Sequence, residues 1–254
     1  MLLKKKKKKM RSSAANILND RRAILHPESP FSVREAYKTL RTNLTFSMTA
    51  KGSKLIGITS AVASEGKSTN CMNLAITFAE NGARVLVLDC DMRRPNIARL
   101  LDCPVTPGLS NVLVGVCDLE KAVQKNVYEN VDVLPAGDMP PNPTELLDSE
   151  RMQELLDTLR GDYEYILLDM PPVNVVADAM ILAKSMTGMV FIVRQGHSER
   201  AEVTSALKQL EFAGAKVLGF ILNGMPARQG RYGYGKYGKY GKYSYHRYSN
   251  YGED

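Results

Sequence analysis

The spacing of one glycine, one lysine and one serine within residues 61–68 could bind a phosphate group. This stretch reads Ala-Val-Ala-Ser-Glu-Gly-Lys-Ser and fits the template of a phosphate-binding loop, with Ala61 in place of the first glycine. In such a loop, successive backbone N–H groups surround a phosphate at a helix N-terminus, the lysine adds positive charge and the serine hydroxyl can bind Mg²⁺. The stretch therefore predicts nucleotide binding, against the alternative of a chance match in an ordinary strand–helix turn.

Acidic residues follow two apolar runs of the chain. Asp89-Cys90-Asp91 follows the run at 85–88, and Asp169 follows the run at 165–168. A carboxylate at the end of a buried strand can hold Mg²⁺ directly or through water. Each aspartate could instead be a turn residue or a helix N-cap. Three acids at strand ends beside one phosphate-binding loop favour the metal-binding interpretation.

The elements that would position these residues alternate between strands and helices. Continuous apolar runs, which are typical of strands buried on both faces, predict strands at 55–58, 84–89, 165–169, 189–193 and 217–223. Helical patterns occupy about 32–47, 68–80, 144–160, 177–187 and 198–213. The alternation predicts an α/β fold with a doubly wound, mostly parallel sheet, whose ligands lie at the carboxyl ends of the strands.

The helix predicted at about 32–47 has its own signals. Ser32 could cap it, with Glu35 three residues further on. Ala36, Leu40 and Leu44 would share one apolar face, which predicts that this face packs on the domain.

Positive charge is concentrated at the two ends of the 254-residue chain. The formal net charge is +7, with +8 in residues 1–22 and +4 in residues 228–254, so the body between them carries −5. Residues 1–22 are predicted to be a disordered basic arm. Nucleic acid or an anionic membrane surface could be the partner of such an arm. Residues 23–226 are predicted to form one globular domain.

Composition also excludes several classes of protein. The apolar runs are too short to span a membrane, and the lysines at 4–9 are not followed by the apolar stretch of a signal peptide. Four cysteines lack the Cys-x-x-Cys spacing of metal and redox sites. They are predicted to be reduced core residues of a cytosolic protein: Cys71, Cys90, Cys103 and Cys117.

The segment at 227–254 consists mainly of Gly, Lys and Tyr and is predicted to be a disordered tail. It holds eight of the twelve tyrosines: Tyr232, Tyr234, Tyr237, Tyr240, Tyr243, Tyr245, Tyr248 and Tyr251. Tyrosine is normally half-buried, so a cluster of tyrosines in a segment without a core indicates a function.

Taken together, these motifs resemble the bacterial tyrosine kinases of the capsule and exopolysaccharide pathways. The resemblance rests on the loop ASEGKST, the strands VLVLDCDMRRP and YILLDMPP, the stretches LPAG and PPNPTELL, and the tyrosine-rich C-terminus. It covers roughly residues 30–254. The family is related to the partition ATPases, so the resemblance implies a P-loop NTPase fold of the deviant Walker class, with ATP and Mg²⁺ as cofactors.

The resemblance assigns catalytic roles to the matching residues. Lys67 would contact the β- and γ-phosphates, and Ser68, Asp91 and Asp169 would hold Mg²⁺ and its waters. Asp89 or Asp91 would accept the proton of the attacking tyrosine, with Asp89 favoured. The residues around ATP would be Ala63, Ser64, Glu65, Gly66, Lys67, Ser68, Thr69 and Asn223.

Three of the residues near the predicted site have an alternative role. Asn223 would recognise adenine by resemblance, or would simply form a turn before Gly224. Arg93 and Arg94 could neutralise the transferred phosphate or contact a neighbouring subunit, or could lie in a solvated turn.

Assembly is implied by a second family motif, Glu-x-x-Arg-x-x-Arg, which Glu35, Lys38 and Arg41 match with a lysine at the middle position. Lysine lacks the two-pronged geometry of arginine, so this contact is expected to be weaker. The alternative is an ordinary solvated helix face. The resemblance implies a ring, with an octamer as the expected form, in which the tail of one subunit reaches the active site of the next.

One departure from the family lies in the phosphate-binding loop, where Ala63-Ser64 replaces Pro-Gly. Glycine adopts a positive φ freely and serine does not. We therefore expect a change in loop conformation or turnover, with nucleotide binding retained through Lys67 and Ser68.

The sequence thus predicts a protein-tyrosine autokinase that phosphorylates the tail of a neighbouring subunit and regulates polysaccharide synthesis and export. The resemblance implies a separate membrane activator with a cytoplasmic C-terminal segment, a cognate phosphatase, and a cytoplasmic location at the inner face of the membrane.

Two other functions are considered. A partition or septum-positioning ATPase switch would carry a lysine where this chain has Val62. A scaffold whose tail binds single-stranded nucleic acid would suit the interleaved tyrosines and cations, but it leaves the loop and the aspartates unexplained, so nucleic acid is not the expected partner.

Overall fold

A seven-stranded, mostly parallel sheet with helices on both faces forms the fold in a computed structural model that describes residues 21–49 and 51–225. All helices and strands of the described residues lie within Met1–Gly224. Within residues 21–49 and 51–225, none of the helices combines the length and apolarity needed to cross a membrane.

The bounds of the elements follow the chain. The strands are β1 Lys54–Ser60, β2 Val85–Asp89, β3 Gln124–Tyr128, β4 Val131–Leu134, β5 Tyr165–Asp169, β6 Gly188–Arg194 and β7 Val217–Asn223. The helices are α1 Phe31–Ser47, α2 Lys67–Ala79, α3 Ile97–Leu101, α4 Leu109–Leu113, α5 Leu119–Ala122, α6 Pro143–Leu147, α7 Glu150–Asp162, α8 Asp178–Ala183 and α9 Arg200–Phe212.

The strand order brings distant motifs to one edge of the sheet. Strands lie in the order β3-β4-β2-β5-β1-β6-β7, and only the β3–β4 pair is antiparallel. Strand β5 therefore lies between β2 and β1, with Asp169 opposite Asp89 on one side and opposite Ile58 on the other. Asp169 thus lies beside the strand that leads into the phosphate-binding loop, and Asp89 lies one strand further away.

Two apolar layers bury the sheet, one on each face. Successive side chains of a strand point to opposite faces, so Leu86 and Leu88 contact one layer while Val85 and Val87 contact the other. Helices α7, α8 and α9 cover the first face, and α1, α2 and α3 cover the second. Burial on both sides explains the continuous apolar runs and confirms the predicted doubly wound α/β fold.

Several details differ from the sequence predictions. The antiparallel strand β3 and its short neighbour β4 were not predicted, because β3 contains a polar, half-exposed run and β4 has only four residues. The helix predicted at 144–160 is two helices, because Ser149 caps α7 by accepting a hydrogen bond from the N–H of Met152 at 3.3 Å.

The start of α1 also differs from the prediction. Helix α1 begins at Phe31 after Pro30, so Ser32 lies inside the helix and its predicted role as cap is wrong. Ala36 is exposed and Tyr37 is half-buried in its place, beside Leu40 and Leu44. A proline before the helix loses no hydrogen bond, since it has no N–H to satisfy.

All four cysteines are free. Cys71 and Cys90 are buried, as predicted for core residues, whereas Cys103 and Cys117 are only half-buried, so the prediction is wrong for these two. The basic arm up to residue 20 and the tyrosines of the tail lie outside the described residues.

Candidate functional site

A cavity of about 910 Å³ opens at the carboxyl ends of the strands. Five cationic side chains line it, and only one acidic side chain, Asp91, does so among the described residues. A wall with this excess of positive charge suits a polyanion such as a nucleotide polyphosphate. The cationic side chains are Lys67, Arg93, Arg94, Arg99 and Arg194.

The phosphate-binding loop forms one wall of the cavity between β1 and α2. Gly66 has a φ of +92°, which favours glycine, and a Cβ there would also displace the side-chain nitrogen of Asn223. Lys67 and Ser68 begin α2 and are almost wholly buried. Of the predicted loop residues, all line the cavity except Glu65: Ala63, Ser64, Gly66, Lys67, Ser68 and Thr69.

Glu65 instead stabilises the loop from behind. Its side chain is fully buried, and one carboxylate oxygen accepts a hydrogen bond from the N–H of Val62 at 2.9 Å. The other oxygen accepts from the hydroxyl of Ser198. A buried carboxylate with both oxygens bonded fixes the backbone around it.

Ser64 adopts the conformation for which glycine is better suited. Its φ is +64°, in the left-handed region. A left-handed residue with a Cβ costs about 1–2 kcal/mol. The serine therefore holds a positive φ that must be stabilised by its surroundings.

The three predicted aspartates have different surroundings. Asp89 is fully buried, and its oxygens accept three backbone N–H bonds, from Asp91 at 3.2 Å and from Asn96 and Ile97 at 3.1 Å. Asp91 lines the cavity, and its carboxylate accepts the N–H of Arg94 at 3.0 Å. Asp89 thus fixes the segment from β2 to α3, whereas Asp91 faces the cavity.

Burial dominates the electrostatics of these carboxyls. It raises the pKa of Asp169 to about 7, against the opposing effects of the Lys67 ammonium and the Ser68 hydroxyl. Burial, with repulsion from Asp169, raises the pKa of Asp89 well above its usual range, and burial also raises the pKa of Asp91.

These acids fit a magnesium ion. The Oδ1 atom of Asp169 is buried and has no hydrogen-bond partner among the described residues. The Ser68 hydroxyl and the Asp91 carboxylate are close enough to affect the pKa of Asp169, and both are the hard oxygen donors that Mg²⁺ prefers. An unsatisfied buried oxygen is costly by itself, and a bound cation would satisfy it.

Arg93 is held in the cavity wall by a network beneath it. Its Nη2 donates to the Thr144 hydroxyl at 2.8 Å, and that hydroxyl donates to Asp178 at 2.7 Å. The Nε of Arg93 also lies 3.5 Å from the buried carboxylate of Asp178. Arg94 makes no ion pair within the described part of the chain, so its charge faces the cavity.

Comparison with known proteins places this site in a family. The family model for an AAA domain matches residues 39–206. The chain is 38% identical over 213 residues to the tyrosine-protein kinase YwqD of Bacillus subtilis, covering 84% of this chain and 89% of that protein. It is 34% identical over 202 residues to the putative tyrosine-protein kinase CapB of Staphylococcus aureus, covering 80% and 89%.

The chain belongs to the bacterial tyrosine-protein kinases. The solved structures agree. The chimerical protein CapA2B2 has a TM-score of 0.75 at 36% identity and covers 79% of this chain and 88% of that one. The kinase domain of Escherichia coli tyrosine kinase ETK has a TM-score of 0.74 at 34% identity, with 81% of each chain covered. The predicted family and P-loop fold are therefore confirmed.

A more distant likeness links the kinase to another P-loop class. The septum site-determining protein MinD of Pyrococcus horikoshii, complexed with Mg-ADP, has a TM-score of 0.57 at 30% identity and covers 67% of this chain and 70% of that one. The kinase domains resemble the chain more closely over more of its length.

Asn223 lines the cavity of the kinase, but its amide is already in use. Its Nδ2 donates to the Glu65 carbonyl at 2.8 Å, and its Oδ1 accepts the N–H of Gly224 at 2.9 Å. The second bond is that of the turn asparagine considered from the sequence. Its first bond fixes the phosphate-binding loop, a role that the sequence analysis did not predict.

Helix α1 is linked to the phosphate-binding loop of the kinase. The Tyr37 hydroxyl donates to Asn70 at 2.8 Å, and the amide of Asn70 donates to the Gly66 carbonyl at 2.9 Å. Arg41 donates to the Thr77 carbonyl at 2.8 Å, near the end of α2.

The other residues of the predicted assembly motif lie on the exposed part of α1. Lys38 and Glu35 form an ion pair at 2.8 Å with each other. Only Arg41 of the predicted motif is therefore used to dock α1 on the domain.

The residues that the sequence analysis missed are Thr144, Asp178, Arg194, His197 and Ser198. Thr144 lies in the PPNPTELL stretch, which was quoted without a role. The other four carry no motif. Only the order of the strands brings Asp178 to Arg93, and Arg194, His197 and Ser198 to the phosphate-binding loop.

Replacing Asp169 by asparagine is expected to stabilise the metal-free protein at pH 8. In the folded state the pKa of the Asp169 carboxyl is raised to about 7. This carboxyl therefore loses its proton at a lower pH in the unfolded chain than in the folded protein, so the folded state is progressively destabilised as pH rises from about 4 to 7. Asp169→Asn should therefore raise the free energy of unfolding on the order of 1–4 kcal/mol at pH 8, with a smaller gain at pH 5.

Urea unfolding in the presence of a chelator would measure this difference. The matched control is Asp162→Asn on the exposed end of α7, which should change the free energy by less than about 0.5 kcal/mol at either pH. A gain from Asp169→Asn that grows on acidification would contradict the analysis.

Proposed function

We propose that this chain is an ATP-dependent protein-tyrosine autokinase that phosphorylates the tyrosine-rich C-terminal segment of a neighbouring subunit. The observation that carries the proposal is the cavity in which Lys67, Ser68 and Asp91 lie together, next to the unsatisfied Asp169 oxygen. Eight tyrosines in the last part of the chain supply the acceptors. By family membership, the reaction regulates capsular or extracellular polysaccharide synthesis and export.

Each group of cavity residues would have its own role in phosphoryl transfer. The backbone N–H groups of the loop and the Lys67 ammonium would hold the β- and γ-phosphates, and Ser68, Asp91 and Asp169 would hold Mg²⁺. This ion would supply positive charge against the negative charge that develops during the transfer. Arg93 and Arg94 supply further positive charge for the transferred group. Chemistry of this type depends mainly on positioning and charge stabilisation.

A carboxylate is proposed to receive the proton of the attacking tyrosine. The sequence favoured Asp89, but we now propose Asp91. Asp91 lines the cavity, whereas Asp89 is fully buried with its oxygens bonded to three backbone N–H groups. Asp89 is then the residue that holds the segment 90–97 in place.

Helix α1 is the proposed contact between subunits. Phe31 and Phe46 lie at the two ends of this helix and are 71% and 80% exposed, and the Glu35–Lys38 ion pair lies between them in the sequence. Aromatic side chains are enriched at protein interfaces, which supports the proposed role of this helix. Contact through α1 would form the ring, proposed to be an octamer by family resemblance, that presents one tail to the next active site.

The remaining partners are proposed from the family alone. They are a separate membrane activator with a cytoplasmic C-terminal segment and a phosphatase that resets the tail. The kinase would act in the cytoplasm at the inner face of the membrane, held there by its activator.

An ATPase switch of the septum-positioning class is the second candidate, favoured by the likeness to MinD. Val62 argues against it. This residue takes the place of the lysine of that class, and its side chain packs against the apolar core beside the loop.

The kinase activity can be tested with three purified proteins, incubated with ATP and Mg²⁺ and probed for phosphotyrosine. We expect signal from the full-length chain and none from a Lys67→Met variant or from a chain that ends at Gly230. The first variant loses the phosphate contact and the second loses the acceptors.

The pattern of signal distinguishes the alternatives. Signal that depends on Lys67 but survives removal of the tail would place the substrate elsewhere. Hydrolysis of ATP without phosphotyrosine, even with the activator's cytoplasmic segment fused on, would favour the ATPase switch.

Because Asp89 and Asp91 have different proposed roles, their asparagine variants should differ in trypsin cleavage and in tail phosphorylation. Asp89→Asn leaves one oxygen for three N–H donors, so loosening of the segment 90–97 should speed trypsin cleavage after Arg93 roughly fivefold. Asp91→Asn can still accept the N–H of Arg94, so it should leave cleavage unchanged. It removes the proposed proton acceptor and weakens the proposed Mg²⁺ site, so it should lower tail phosphorylation by about 10²-fold or more. Unchanged cleavage in Asp89→Asn together with active Asp91→Asn would return the proton-accepting role to Asp89.

A further inference from the structure

The phosphate-binding loop is held from outside by residues 194–198, which we call the strap. The strap begins at the last residue of β6 and contacts three consecutive residues of the loop. Arg194 Nη1 donates to the Ser64 carbonyl at 2.8 Å, and the Ser198 hydroxyl donates to the Glu65 carboxylate.

The third contact of the strap comes from a histidine. The Nε2 of His197 lies 2.9 Å from the carbonyl oxygen of Ala63. Because a carbonyl oxygen can only accept a hydrogen bond, Nε2 must carry the proton in this contact. Each of the residues 63–65 is therefore bonded to a different side chain of the strap.

The strap is itself closed by hydrogen bonds. The N–H of Arg194 donates to the Ser198 hydroxyl at 2.9 Å, and the N–H of Ser198 donates back to the Arg194 carbonyl at 3.1 Å. Gly196 reverses the chain between them with a φ of +69°. A closed turn of this kind presents its side chains from a fixed position.

The contacts converge on the strained residue of the loop. Ser64 has a φ of +64°, which is unfavourable for a residue with a Cβ and persists only where the surrounding structure holds the backbone in place. The strap binds its carbonyl and both neighbours. On the other side, Asn223 binds the Glu65 carbonyl at 2.8 Å.

We propose that Arg194 is a positioning residue for nucleotide binding, which holds Ser64 in the left-handed conformation through the Ser64 carbonyl. The inference rests on the proposed nucleotide site and adds to it a residue that lies outside every motif. Arg194 also lines the cavity, so the alternative is direct contact between its guanidinium and the nucleotide.

A double-mutant cycle separates the two roles. Binding of ADP with Mg²⁺ to the full chain is measured by calorimetry, so that no phosphoryl transfer is needed. Arg194→Ala should weaken binding roughly tenfold when residue 64 is serine. In a Ser64→Gly background the same substitution should weaken it no more than about twofold, since glycine adopts the conformation without support.

A charge control and a folding control accompany the cycle. Arg200→Ala removes the same charge from an exposed position at the start of α9, and it should leave ADP affinity within about twofold. Thermal unfolding of each variant checks that the domain remains folded.

The outcomes are distinct. Equal losses of affinity in the serine and glycine backgrounds would show that Arg194 contacts the nucleotide directly, and would overturn the inference while leaving the proposed function intact. No loss in either background would also overturn it. Failure of the unchanged chain to bind ADP would overturn the proposed nucleotide site and the inference together.

Discussion

The site depends on buried negative charge that the protein satisfies only in part. Asp89 and Asp169 are cross-strand neighbours at the ends of β2 and β5, and burial raises the pKa of both. Taking a carboxylate out of water costs several kcal/mol unless hydrogen bonds or opposite charge compensate. Asp89 has three backbone N–H donors, whereas one oxygen of Asp169 has none among the described residues. This deficit of positive charge beside Ser68 is the condition under which a divalent cation binds.

The cavity wall near these carboxylates is positively charged, and the residues that form it are also held in place by hydrogen bonds. Arg93 is fixed by Thr144 and a fully buried Asp178, and the phosphate-binding loop is fixed by Glu65 and the strap. Strain at Ser64 lies in the middle of these contacts. Strained backbone that is fixed by its surroundings is typical of functional sites, where a preorganised geometry matters more than local stability.

Much of this arrangement can be predicted from the sequence where burial or a motif determines the residues, but not where only the tertiary structure brings residues together. Strands such as β2 and β5 are buried on both faces, so their sequences are unbroken apolar runs that end in aspartate. The sequence Gly66-Lys67-Ser68 between a strand and a helix is typical of a phosphate-binding loop. Strand β3 is polar and half-exposed and leaves no such signal. The strap also cannot be predicted from the sequence. His197 and Ala63 are 134 residues apart, and only the strand order brings them into contact.

The most direct test of the central claim, transfer to the tail of another subunit, uses a mixture of two chains. A Lys67→Met chain supplies a tail without activity, and a chain that ends at Gly230 supplies activity without a tail. After incubation with ATP and Mg²⁺, mass spectrometry locates phosphate on the tail, with each chain alone as control. The account predicts phosphotyrosine on the Lys67→Met chain only in the mixture. An unmodified tail in the mixture, under conditions where the full-length chain phosphorylates itself, would contradict it.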